Sequence, residues 1–135
     1  MLNLTAASVK YIGLRLIRDP TRGGIATVCA ELHRATGMGV RLLQTQLPVR
    51  EQVQSVCDML GYDPMYLACE GRVVAIVEPS EAQEVLACWR NLDEGREAAI
   101  IGQMDASIPY VLMETEIGGE RILEELEDDP LPRIC

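Results

Sequence analysis

The rhythm of hydrophobic and polar positions changes along this chain, and the changes mark its elements. Leu14-Arg15-Leu16-Ile17-Arg18 alternates, as a short strand with one buried face does. Ile25, Val28, Cys29, Leu32 and Ala35 then recur at helical spacing, which predicts a helix from about Gly24 to Thr36. Pro20 keeps Asp19 out of the helical region, either Asp19 or Thr21 is placed to cap the helix, and Gly37 supplies a C-terminal stop. Val40-Arg41-Leu42-Leu43 reads as a strand, broken by Leu47-Pro48. A second helix follows from about Val49 to Leu60, with Val53, Val56, Cys57 and Leu60 inward, and Gly61 closes it.

The later half reads the same way. Asp63-Pro64 makes a turn that starts a short helical segment, Met65 to Ala68, and Glu70-Gly71 makes another turn. Arg72 to Val77 is the clearest strand, a continuous apolar run suited to burial on both faces. Pro79-Ser80 opens a third helix, Glu81 to Asn91, with Ala82, Val85, Leu86 and Trp89 on one side. Residues 98–102 and 110–113 read as strands, Gly118-Gly119 as a turn, and Arg121-Ile122-Leu123 as a segment that pairs back. This irregular alternation predicts an α+β fold with a mixed or antiparallel sheet.

The 135 residues fit one domain of ordinary size. Apolar residues make up 48% of the chain, with four Tyr, one Trp and no Phe, so its core is expected to be aliphatic. A net charge of −9 argues against nucleic acid, whose phosphates call for a basic patch. No apolar run approaches the roughly 20 residues needed to span a bilayer. The first residues lack the basic and apolar regions of a secretory signal, so the expected location is the cytoplasm. The five cysteines, Cys29, Cys57, Cys69, Cys88 and Cys135, include no C-x-x-C pair, and with His33 the sole histidine a structural zinc site is not expected. Cys29, Cys57 and Cys88 fall in apolar helical patterns and read as small core residues. His33 reads as structural.

Three places have the composition for chemistry. Asp19-Pro20-Thr21-Arg22-Gly23-Gly24 precedes a helix, where glycines let backbone N–H groups converge, the helix N-terminus favours an anion, and Arg22 adds a fork for phosphate. The same Gly-Gly also makes an ordinary tight turn. Glu70 lies in a turn before a buried strand, where a carboxylate can be held by a rigid scaffold; it also reads as a solvated turn residue. Residues 124–135 combine a run of carboxylates with Pro130 and Pro132 and end in Cys135. They are expected to form a flexible arm carrying an accessible thiol.

Together, D-P-T-R-G-G at 19–24, L-P-V-R at 47–50, C-D-M-L-G-Y-D-P at 57–64, E-G at 70–71 and the terminal P-R-I-C closely resemble the HypE family of hydrogenase maturation proteins, from about Val9 to Cys135. The first motif is shared more loosely by the wider aminoimidazole-ribonucleotide-synthetase-like (PurM-like) superfamily; the P-R-I-C ending is the family-specific one. The resemblance implies a PurM-like C-terminal domain, a three-layer α/β/α sandwich with a mixed sheet, partly ferredoxin-like, over residues 1–123, with the arm at 124–135. It implies a carbamoyl dehydratase. A carbamoyl group from HypF is placed on Cys135 and dehydrated with ATP to a thiocyanate. The cyanide passes to iron on a HypC–HypD complex for the active site of nickel–iron hydrogenase. The family's glutamate near the reacting cysteine falls on Glu70, a candidate base, with Asp19, Thr21, Arg22, Gly23 and Gly24 near the phosphates, and Pro132 and Arg133 where the tail is positioned.

Two departures accompany the resemblance. The family's N-terminal half, with most of the ATP site and much of the dimer interface, is expected to be missing. ATP and Mg are therefore assigned to the full-length protein, as is homodimerisation, and neither ligand is expected to bind tightly here. Cys69-Glu70-Gly71-Arg72 also stands where the family commonly has Asn-Glu-Gly-Lys. The alternatives are a partner-binding fragment without chemistry of its own, and the C-terminal domain of a purine-biosynthesis-like ATP enzyme in which Cys135 is incidental.

Overall fold

The structure, a computed structural model, describes Leu4, Ala6, Ala7 and residues 10–126. Its contacts gather into two compact units, one made of Met1–Asp19 and Gly71–Ile100, the other of Pro20–Glu70 and Ile101–Cys135. The fold is α+β with a mixed sheet, as the sequence predicts.

In the first unit, β1 (Leu14–Arg18) pairs antiparallel with β3 (Val74–Val77), with a register shift between Leu14 and Leu16. All four β3 residues are half-buried. The expected burial on both faces is not found, because β3 belongs to a two-stranded ribbon. Helix α3 (Ala82–Arg90) buries Val85. Its start is stitched to β1: Gly13 N donates to Glu81 Oε2 at 3.0 Å, and Glu78 N donates to Gly13 O at 2.8 Å.

The second unit holds a four-stranded sheet in the order β4 (Gly102–Asp105), β2 (Gly39–Leu43), β5 (Val111–Glu114), β6 (Glu120–Ile122). The β2–β5 pair is parallel and the other two are antiparallel. Alternation along β2 sends Val40 and Leu42 into the core, while Arg41 turns the other way and bridges Asp105 of β4 and Glu120 of β6. Helix α1 (Gly24–Thr36) packs on β2 and β5 through Ala26 and Cys29, and Met65, Val111, Met113 and Leu123 complete the core. Each large apolar side chain removed from water here contributes on the order of 1.5–3 kcal/mol. The helix ends at Gly37, whose φ of 72° lets its N–H reach back to His33 O. His33 adds a second tie, Nδ1 to Met38 O at 2.9 Å, which is the structural role expected of it.

Three further sequence expectations fail for non-local reasons. Helix α2 (Glu51–Leu60) buries Cys57 alone, leaving Val53, Val56 and Leu60 at 41%, 48% and 60% exposure. Periodicity states which residues share a face, not how much of that face finds a partner. The strand expected at 98–102 instead begins at Gly102. It must pair with β2, whose register places Leu42 opposite Gly102, and Leu43 N closes the end of the ladder on Ile101 O. Neither Asp19 nor Thr21 caps α1; the N-cap is Gly23, without a side-chain hydrogen bond.

Candidate functional site

The loop ahead of α1 is built on two successive left-handed glycines, Gly23 at φ 60° and Gly24 at φ 64°. At Gly24 the second reason for glycine is contact: a Cβ would lie 2.4 Å from Met65 O and 2.7 Å from Leu67 O. The start of the helix is thus seated directly on the backbone of residues 65–67. Asp63 forms that segment by accepting from Met65 N at 2.9 Å, so Pro64–Tyr66 closes as one 3-10 turn. The other Asp63 oxygen pairs with Arg121 of β6.

From this turn the chain runs to Cys69, whose N–H donates to Pro20 O at 2.9 Å. Pro20 is fully buried. This bond ties the D-P-T-R-G-G loop to the segment that carries Glu70, so two motifs nearly fifty residues apart become one neighbourhood. Cys69 Sγ turns back onto Leu67 O at 3.3 Å and is half-buried. Glu70 is exposed at the turn that Gly71 completes with φ 73°.

Arg22 is exposed, and so is Asp19, while Thr21 is half-buried. Among the described residues Arg22 makes no ion pair or hydrogen bond, and the same holds for Glu70. Most of the described arginines are engaged: Arg15 with Glu78, Arg34 with Glu125, Arg41 with Asp105 and Glu120, Arg72 with Glu97, Arg121 with Asp63. A guanidinium without a partner among the described residues, beside a helix N-terminus with no side-chain cap, suits an anion. Arg22, Gly23 and Gly24 therefore fit one phosphate group. A cleft of about 300 Å³ in the second unit lies elsewhere, lined by Ala30, His33, Arg34, Tyr110, Ile122 and Glu125 among others.

Two of the other thiols, Cys29 and Cys57, are unsuited to nucleophilic work. Burial pushes the Cys29 thiol up to about 12. Cys57 is raised by burial and then by Asp58 and Asp63. Cys88 is half-buried. Cys135, Pro132 and Arg133 lie outside the described residues. The arm expected from 124 is held at its first two residues: Tyr66 Oη donates to Glu124 O at 2.8 Å and Arg34 Nη2 to Glu125 Oε1 at 2.9 Å. Sequence reasoning missed Tyr66 and Arg34, because nothing local marks a side chain whose partner lies 58 or 91 residues away. Among the described residues no three His, Cys, Asp or Glu side chains are grouped to hold a metal ion, and no helix is long and apolar enough to cross a membrane.

Comparison with known proteins places this geometry in a family context. Residues 3–112 match the model for AIR synthase related protein, C-terminal domain. The chain is 45% identical over 123 residues to carbamoyl dehydratase HypE of Azotobacter vinelandii, covering 90% of this chain and 36% of that protein. It is 42% identical over 134 residues to hydrogenase expression/formation protein HupE of Azotobacter chroococcum mcd 1, covering 98% and 39%. A crystal structure of hydrogenase maturation protein HypE superposes with a TM-score of 0.92 at 38% identity, over 98% of this chain and 44% of that one. HypE in complex with ATP gives 0.86 at 36%, over 95% and 41%, and a HypE–HypF complex gives 0.84 at 34%, over 89% and 39%. The chain spans less than two fifths of the length of these two relatives.

Proposed function

The chain belongs to the AIR synthase related protein family, as its C-terminal domain, and from that premise we propose that it is the C-terminal part of a HypE-type carbamoyl dehydratase. In this reading residues 1–123 form the body and 124–135 an arm that presents Cys135. The observation that carries it is the Cys69 N to Pro20 O bond, which joins the anion-fitting loop to the segment of Glu70 with both Arg22 and Glu70 left unpaired by the described residues. The 45% identity to a carbamoyl dehydratase HypE supports it.

The chemistry needs these groups. The Cys135 thiolate takes a carbamoyl group delivered by HypF and becomes S–C(=O)–NH2. Loss of water requires that the oxygen become a leaving group. One N–H proton leaves as that oxygen attacks the terminal phosphorus of ATP and ADP departs. The second leaves as the C–O bond breaks and phosphate goes, giving S–C≡N. Glu70 is the base for the nitrogen, a role worth on the order of 10²–10⁴-fold. Arg22 balances charge on the transferring phosphoryl group, with the N–H groups at the Gly23-Gly24 helix start beside it. Asp19 and Thr21 frame that loop, and Pro132 and Arg133 orient the thiol.

The N-terminal half of the full-length protein supplies the rest of the nucleotide site, with Mg, and the homodimer contact. The cyanide then passes to iron, as cargo, on a HypC–HypD complex. The setting is the cytoplasm. The test uses the full-length protein with HypF, carbamoyl phosphate and ATP, read by intact mass. Cys135→Ala is expected to accept no carbamoyl group. Glu70→Gln is expected to accept it and stall as the thiocarbamate, heavier than the thiocyanate by one water. Thiocyanate formed at the normal rate by Glu70→Gln removes the base assignment.

A further inference from the structure

The segment that carries Glu70 meets the rest of its unit at several points, and they differ in how firmly they hold it. At its start Asp63 uses both carboxylate oxygens. One accepts from Met65 N at 2.9 Å and closes the 3-10 turn Pro64–Tyr66. The other pairs with Arg121 Nη2. In the middle, Met65 is buried in the core cluster, and the start of α1 is seated at Gly24 on the backbone of residues 65–67. At the end, Cys69 N donates to Pro20 O at 2.9 Å. An unbranched methionine side chain adapts to a shifted backbone, and a van der Waals contact resists approach but not sliding. The two directional ties therefore fix the segment: Cys69 to Pro20 beside Glu70, and Asp63 to Arg121 at the other end.

The position of Arg121 gives the second tie its meaning. Arg121 lies on β6 opposite Met113 of β5, and α1 packs on the same sheet, at β2 and β5, through Ala26 and Cys29. The sheet is thus the common reference for both parts of the site. The helix brings the Arg22-Gly23-Gly24 loop to it, and Arg121 brings the Glu70 segment. The cap on Met65 N shapes the turn but ties it to nothing outside itself, so a turn without Arg121 keeps its form and loses its place. The Asp63 and Arg121 side chains are 26% and 43% exposed, and a pair so open to water adds little to folding stability. Rate is far more sensitive to placement, since a misplacement of about 1 Å costs up to about 10²-fold. The pair is therefore expected to matter little to stability and much to rate.

Resting on the assignment of Glu70 as base, we propose that Asp63 and Arg121 are positioning residues for dehydration, their ion pair fixing the Glu70 segment to the sheet that also carries the anion-fitting loop. The experiment uses the full-length protein with HypF, carbamoyl phosphate and ATP, and follows carbamoylation and dehydration separately by intact mass over time. Arg121→Gln removes the cation. Asp63→Asn removes the pair but keeps an oxygen for Met65 N. Each is expected to slow dehydration about tenfold at saturating ATP, with carbamoyl acceptance unchanged and melting temperature little changed. Half-saturating ATP is expected to move less than about twofold, because the loop stays on its helix. The double variant is expected to be no slower than either single one, because the pair is one interaction. Arg121→Lys, which restores the charge without the planar fork, is expected to recover part of the rate. Losses that multiply in the double variant, or carbamoylation that falls in step with dehydration, overturn the role of the pair. Glu70→Gln run beside these variants tests the underlying reading. Thiocyanate from it at the normal rate overturns the base assignment and the proposal with it, whereas a stalled Glu70→Gln beside a normal Arg121→Gln overturns the pair alone.

Discussion

Cys69 N donates to Pro20 O at 2.9 Å, and this one bond decides what the D-P-T-R-G-G and E-G motifs mean. Apart, each is an ordinary turn. Joined, they place an arginine and a carboxylate, neither paired among the described residues, on two loops that share a backbone contact, one of them leading into a helix N-terminus without a side-chain cap. The bond is main chain to main chain, so it does not depend on what residue occupies position 69.

Arg22 is the first place to test this. It is exposed and holds nothing together among the described residues, so Arg22→Gln is expected to change folding stability by no more than about 0.5 kcal/mol. In the full-length protein the same change is expected to slow dehydration at least tenfold while sparing carbamoyl acceptance. Arg22→Lys restores the charge but not the fork, and recovers only part of the rate. Thermal unfolding beside single-turnover mass measurements checks both halves.

Gly24 and Gly37 both have positive φ, yet their alanine variants are expected to differ. Around Gly37 nothing lies within 4 Å of a built Cβ, so Gly37→Ala carries only the left-handed penalty, on the order of 1–2 kcal/mol. Gly24→Ala adds a clash with Met65 O, a backbone atom that cannot step aside. Its cost is expected to exceed that of Gly37→Ala by at least about 1 kcal/mol. Urea unfolding of the two variants gives the comparison directly; equal midpoints would mean that the 65–67 segment is not seated on the helix.

The thiols should separate under alkylation. With its pKa at about 12, Cys29 holds about one thiolate in 10⁵ at pH 7, and Cys57 is raised as well. Cys135 is expected to be labelled first. Cys29 and Cys57 are expected to react only after denaturant is added. Peptide mapping over time checks the order, and early labelling of Cys29 would contradict its burial.

Asp105 links the sheet to pH. Its carboxylate accepts from the Ser107 hydroxyl and from Ser107 N, and Arg41 lies 3.7 Å away, which together hold its pKa below the usual 3.8. A depressed carboxylate contributes stability above its unfolded pKa and loses it as pH falls through the folded value. Asp105→Asn is therefore expected to lower stability near neutrality and to flatten the decline below about pH 4. Chemical unfolding across a pH series from neutral to acid tests the slope.

Local rules determined much of this protein from its sequence alone. The bounds of α1 were legible at both ends, because helical spacing runs from Ile25 and Gly37 takes the left-handed C-cap. The Asp63-Pro64 turn, the β5–β6 hairpin around Gly118 and the strands at Leu14–Arg18 and within Arg72 to Val77 were legible for the same reason: a few adjacent residues dictate the backbone. The tertiary structure decided the rest. The partner strand β2 set where β4 begins, and among the described residues only Cys57 of the apolar stripe of α2 is buried. Distant chain brought Cys69 to Pro20 and Tyr66 to Glu124. Periodicity records which side of an element is apolar, but which groups meet depends on contacts dozens of residues apart, and those exist only once the chain has closed on itself.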